Sequence, residues 1–65
     1  MREWLIESRN RKQLTQKDVA DNIGITRQMI SAIENGTASP SVSVAQSIGK
    51  LLDFEWTKFF EDKAV

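Results

Sequence analysis

The 65-residue chain is predicted to be all-α on three observations. Apolar residues recur at helical spacing in one segment after another, no stretch alternates as a strand does, and caps or stops separate the segments. Residues 2–12 hold no glycine or proline and set Trp4, Leu5 and Ser8 on one side, which predicts a first helix ending near Gln13. Residues 15–18 follow the capping-box pattern, with Asp18 where glutamate or glutamine is usual, so a second helix runs from about Gln16 to Ile23. Val19, Ala20 and Ile23 share its inner face. Gly24 breaks the helix and Ile25 returns to the core. Thr26 caps a third helix over about residues 27–34, buried through Ile30 and Ile33. Asn35 and Gly36 end it, since both tolerate the left-handed conformation. Residues 37–40 form a loop, and Ser41 is the next cap. Val44, Ala45, Ile48, Leu51 and Leu52 then give a fourth helix a wide apolar stripe. Asp53 and Phe54 turn the chain, and Trp56, Phe59 and Phe60 mark a short fifth helix before a frayed tail at residues 61–65.

Size and composition exclude several classes. A chain this short is one domain, residues 1–65, burying only about 60% of the surface its unfolded form exposes. It has neither cysteine nor histidine, so disulfides and the usual zinc ligands are absent, and stability must come from helix packing. No apolar run approaches the roughly 20 residues of a membrane span, and the first residues lack the apolar core of a secretory signal. A soluble, cytoplasmic setting is expected, with no membrane partner. Enzyme chemistry has little to work with: no histidine, cysteine or tyrosine, no glycine-rich phosphate loop, no carboxylate pair at a convincing spacing. No cofactor or metal is implied, and no small-molecule effector site is evident. Formal net charge is zero, yet residues 1–17 carry Arg2, Arg9, Arg11, Lys12 and Lys17 against Glu3 and Glu7, while Asp53, Glu55, Glu61 and Asp62 gather later. A local basic patch is expected, with modest electrostatic steering.

Residues 16–35 carry most of the functional information. They read as two short helices joined by a turn too tight for a free loop, the pattern of a helix-turn-helix. Opposite Ile30 and Ile33, the second of these helices sets Arg27, Gln28, Ser31 and Ala32 on one polar or small face, which suits a groove better than a core. Met29 is read as a flank or core filler. A helix start offers unbonded N–H groups and partial positive charge, a natural seat for a phosphate. Gln16 adds an amide donor at one such start. Lys17 and Arg27 both sit in a first turn, where the helix dipole disfavours a cation by roughly 0.3 to 1 kcal/mol. Their placement makes sense if an anion arrives.

Taken together, Leu14-Thr15-Gln16, Ala20, Gly24, Ile30-Ser31, Ile33-Glu34-Asn35-Gly36 and Pro40-Ser41 resemble the Cro and phage-repressor type of helix-turn-helix, in its small stand-alone bacterial or phage regulators. The resemblance spans about residues 5–60. It implies a compact five-helix, lambda-repressor-like DNA-binding domain with the helix-turn-helix at 16–35. It also implies that Gln16 and the helix start at Thr26 meet the DNA backbone, and that the loop with Asn35 and Thr37 lies against phosphates, each residue having a cap or backbone role as its alternative. Arg9 and Glu34 match positions that pair in some relatives, as a structural tie between the first and third helices. The chain departs from the pattern at Gln13 and Asp53, where glycine is often found. Gly49 falls inside a helix, and residues 37–39 lack the usual Lys or Arg.

In a major groove arginine pairs with guanine and glutamine with adenine, serine bonds several base edges, and an alanine methyl meets that of thymine. Arg27, Gln28, Ser31 and Ala32 are therefore the expected base-contacting residues. Phosphate is the alternative for Arg27, and for Ser31 and Ala32 it is a small surface that lets the helix seat. Gln16, Lys17, Thr26, Arg11, Lys12, Asn35 and Thr37 are the expected phosphate contacts; Arg11 and Lys12 read equally well as solvated charge. One helix reads too few base pairs alone, so the expected state is a homodimer on a (pseudo)palindromic double-stranded operator, acting as a repressor. By elimination its interface uses Phe54, Trp56 and Phe60, unless Trp56 belongs to the core with Phe59. The rival reading is an antitoxin-like module that binds DNA and a protein together.

Overall fold

The computed structural model describes residues 1–61, and every regular element among them is helical: α1 (Glu3–Arg11), α2 (Gln16–Ile23), α3 (Arg27–Asn35), α4 (Val42–Leu52) and α5 (Lys58–Glu61). The caps define the starts. Thr15 and Asp18 form both bonds of a capping box, the Asp18 N–H donating to the Thr15 hydroxyl at 3.0 Å and the Thr15 N–H to the Asp18 carboxylate at 2.9 Å. Thr26 and Ser41 accept from Met29 and Val44 in the same way, at 3.1 and 3.2 Å. Helix α1 has no side-chain cap and begins at Glu3, one residue later than its apolar pattern suggests. Helix α3 keeps Asn35 within it, because Gly36 alone takes the left-handed turn, at φ 85°. Helix α5 starts later than expected: Trp56 and Thr57 lie in the turn before it, and Glu61, the last described residue, is helical and not the start of a tail. The remainder of the expected tail lies outside the described residues.

Nine apolar side chains form the core: Leu5 of α1, Val19 and Ala20 of α2, Ile30 and Ile33 of α3, Ala45, Ile48 and Leu52 of α4, and Phe59 of α5. Each helix contributes to it. Ile23 and Ile25 pack at its edge, where Gly24 at φ 78° sets the turn between α2 and α3. Met29 stays 44% exposed on the flank of α3 and fills no core space. Gln13 and Asp53 both adopt left-handed backbone, at φ 59° and 68°, and each conformation costs up to roughly 1 to 2 kcal/mol without glycine.

Close packing explains Gly49. A β-carbon there would lie 2.7 Å from the Phe54 carbonyl oxygen and 3.1 Å from the Trp56 β-carbon, so α4 and the following turn touch backbone to backbone. That contact folds the chain end back over α1. Trp4 meets Phe54 and Phe59 edge-on, both at 5.1 Å between ring centres, and Trp56 meets Phe60 at 6.0 Å. Arg2, its guanidinium 5.6 Å from the Phe59 ring centre, ties the chain start to the end of α3. Its backbone N–H donates to the Glu34 carbonyl at 2.7 Å, and its guanidinium donates to the carbonyls of Ile33 (2.7 Å) and Ala38 (3.2 Å). The last carbonyls of a helix attract such a cation. No helix among the described residues is long and apolar enough to cross a membrane.

Candidate nucleic-acid interface

The start of α2, the start of α3 and the chain after α1 enclose an open concavity of about 590 Å³. Gln16, Lys17 and Arg27 line it together with Arg9, Asn10, Gln13, Leu14 and Thr15. Three cations, Arg9, Lys17 and Arg27, and the Gln16 amide thus meet beside a helix N-terminus, an arrangement suited to an anion. Arg27 is exposed and makes no side-chain hydrogen bond or ion pair among the described residues. Its charge at the first position of α3 has no counterpart among the described residues.

Lys17 differs. Its ammonium pairs with Asp21 one turn along α2 at 2.8 Å, and the hydrogen bond and charge of Asp21 raise its pKa. A partner within the chain therefore accounts for part of what its placement suggests. Both side chains are exposed, so water screens the pair and Lys17 is free to exchange it for a phosphate. Asp18 lies beside it, its carboxyl held below the ordinary range by the Thr15 N–H and hydroxyl. That carboxylate already occupies part of the positive end of α2.

The outward face of α3 rises in steps. Arg27 and Gln28 are exposed, while Ser31 and Ala32 are half-buried behind them. With 3.6 residues per turn, Asn35 projects between Ser31 and Gln28, which sets it at the end of this face as well as beside the loop. Thr26 is held as a cap. Thr37 has less to offer a phosphate than its type suggests, because its N–H (3.0 Å) and its hydroxyl (3.2 Å) both donate to the Ala32 carbonyl, closing the end of α3. Arg11 and Lys12 stand apart from the α2–α3 concavity. They line a separate hollow with Ser8, Leu52 and Asp53, and Arg11 donates to the Ser8 hydroxyl at 3.3 Å.

Beneath the face lies a buried ionic tie. The Arg9 Nε donates to Glu34 Oε2 at 2.7 Å and its Nη2 to Oε1 at 3.3 Å, while Nη1 donates to the Leu14 carbonyl at 2.9 Å. The side chains are 14% and 4% exposed. Gln16 joins them, its Nε2 donating to Glu34 Oε1 at 2.9 Å. The sequence pattern sets Gln16 outward and carries no mark of this bond, since nothing local links residues 18 positions apart. Arg2 is likewise one of the cations of the expected basic patch. The guanidinium of Arg2 instead points into the molecule, and that of Arg9 is largely covered, so the patch is smaller than the sequence implies. At the far end Phe54, Trp56 and Phe60 are each half-buried, intermediate between core and open surface. No group of residues fit to hold a metal occurs among the described residues.

Comparison with known proteins bears on this geometry. Residues 5–59 match a family model described as helix-turn-helix. The chain is 50% identical over 62 residues to YqaF of Bacillus subtilis, an uncharacterized HTH-type transcriptional regulator, covering 95% of this chain and 82% of that protein. It is 42% identical over 55 residues to an uncharacterized HTH-type transcriptional regulator of Methanothermobacter thermautotrophicus, covering 85% of this chain and 80% of that protein. No solved structure matches it.

Proposed function

Because the chain belongs to the XRE family of helix-turn-helix DNA-binding regulators, we propose that it reads a specific double-stranded operator as a homodimer and regulates transcription, as a repressor. In this reading α3 enters the major groove. The observation that carries it is Arg27, a cation at the start of a helix without a partner among the described residues, standing beside exposed Gln28 with the small side chains of Ser31 and Ala32 behind the two. Arg27 and Gln28 have the reach and donor geometry for guanine and adenine edges, Ser31 and Ala32 meet base edges or let the helix approach closely, and Asn35 meets a phosphate at the end of the face. Gln16, Lys17 and the starts of α2 and α3 bind phosphates on either side, and Arg11 and Lys12 add weaker, peripheral charge.

A single α3 distinguishes only a few base pairs. Two copies related by a two-fold axis read half-sites about 34 Å apart, and occupancy of those base pairs excludes other proteins from them. The half-buried aromatic end of Phe54, Trp56 and Phe60 is the surface proposed for the pairing. Selection of bound duplexes from a random pool tests the reading. A two-fold symmetric consensus is expected, and Gln28→Ala should reduce preference at one base position per half-site by about 1 to 3 kcal/mol. A Gln28→Ala protein with the wild-type consensus and preference would refute the groove assignment. Sedimentation at micromolar concentration tests the pairing; a monomer both free and on DNA would refute it.

A further inference from the structure

The bond between Gln16 and Glu34 joins the two helices of the motif from below, and nothing in the ion pair requires it. Arg9 already compensates the Glu34 charge through two contacts, and the carboxylate lies 3% exposed under the α2–α3 junction. The amide of Gln16 nevertheless turns inward to Oε1 at 2.9 Å. A primary amide carries two N–H donors in one plane. With one held by Glu34, the orientation of the other is set, and Gln16 lines the concavity at the start of α2. A donor ordered in advance loses less freedom when its acceptor arrives.

We infer that Glu34 is a positioning residue for DNA binding, fixing the Gln16 amide so that its second N–H meets a backbone phosphate at the start of α2. The inference rests on the DNA-binding reading above. It has an unusual sign. Glu34→Gln removes a negative charge beside a polyanion, which by electrostatics alone tightens binding. Positioning demands the reverse. The new amide has one acceptor oxygen where the carboxylate has two, so it meets Arg9 or Gln16 donor to donor.

The test is a double-mutant cycle of Gln16→Ala and Glu34→Gln on the duplex selected by the wild-type chain, at a temperature where circular dichroism shows each protein folded. Glu34→Gln should weaken binding about tenfold in the wild-type background, the loss of one hydrogen bond to a charged group, and less than about twofold in the Gln16→Ala background. An equal loss in both backgrounds, or tighter binding in the first, overturns the inference while leaving the DNA-binding reading intact. A wild-type chain that binds no duplex overturns both. Should Glu34→Gln fail to fold, side-chain amide NMR of the wild-type protein decides. One Gln16 proton should be protected from exchange in the free protein and the other should shift when the duplex is added; an unprotected pair, or no shift while α3 backbone amides respond, overturns the inference.

Discussion

Replacing Arg9 with alanine strips three hydrogen bonds from the junction of α1, α2 and α3: two to Glu34 and one to the Leu14 carbonyl. Glu34 stays behind, buried at 4% side-chain exposure and left with the neutral Gln16 amide as its remaining side-chain partner. Removing one member of a buried pair costs about 3 to 5 kcal/mol, and the 14% exposure of Arg9 argues for the lower end, about 3 kcal/mol. A domain of this length has a total stability of roughly 3 to 10 kcal/mol. The Arg9→Ala protein is therefore expected to lose about a third or more of its stability and, toward the lower end of that range, to be partly unfolded at room temperature and to bind DNA poorly for that reason alone. Urea unfolding followed by circular dichroism and by Trp4 and Trp56 fluorescence measures the loss. The paired change Arg9→Met with Glu34→Leu should recover most of it, since apolar residues of similar volume often replace a buried ion pair at no net cost. A single variant within about 0.5 kcal/mol of wild type would refute the reasoning, as would a double variant no more stable than Arg9→Ala.

Gly49→Ala gains about 1 kcal/mol of helix propensity yet places a methyl 2.7 Å from a backbone oxygen that cannot rotate away. Overpacking of that kind costs typically 1 to 3 kcal/mol, so a net loss is expected in urea unfolding, and a more stable variant would contradict the packing argument. Asp21→Asn releases Lys17 from its pair and should steepen the salt dependence of DNA binding, whereas Lys17→Ala should lower its slope by about one and weaken all sequences alike. Unchanged slopes in both would remove Lys17 from the phosphate contacts. The capping box predicts an acid limb. The Asp18 pKa is lowered in the fold, so its contribution to stability is complete above the ordinary value of 3.8 and fades as pH falls through the folded value. Thermal unfolding of Asp18→Asn against wild type should show a difference that is constant near neutrality and shrinks on the acid side of 3.8; a difference independent of pH would count against the box.

The helices were legible in the sequence because their signals are local. Thr15, Thr26 and Ser41 each bond an N–H three residues on, and Gly24 and Gly36 mark helix ends by backbone freedom alone. The boundaries of α2 follow from such short-range chemistry, as does the α4 stripe. What the sequence hid is long-range. Arg2 reaches carbonyls 31 and 36 positions away, and Gln16 reaches Glu34 across 18. A cation near a chain start carries no mark of whether it points to water or to a helix end. Gly49 looked like a defect in α4 until the turn packed against it supplied the reason. The face of α3 was legible as a set, Arg27 with Gln28, Ser31 and Ala32, because helical periodicity fixes which residues share a side. The state of each donor was not, as Thr37 illustrates.

That distinction bears on how a neutral chain would hold a polyanion. Nine cations balance nine acids in the sequence, but the fold sorts them unequally. Arg2 and Arg9 turn inward and serve packing, Arg11 and Lys12 stand apart in another hollow, and Arg27 with an exchangeable Lys17 remains at the helix starts. Each phosphate neutralised contributes a slope of about −0.9 to log K against log salt. Two such cations per copy would give a dimer a slope of about −3.6, well short of the contacts that make binding tight at any sequence. On the proposed reading, affinity then has to come from uncharged donors such as Gln16 and from two half-sites engaged together. A phosphate contact is shared by specific and non-specific complexes, so the missing charge in residues 37–39 lowers both affinities alike and leaves discrimination to the face of α3.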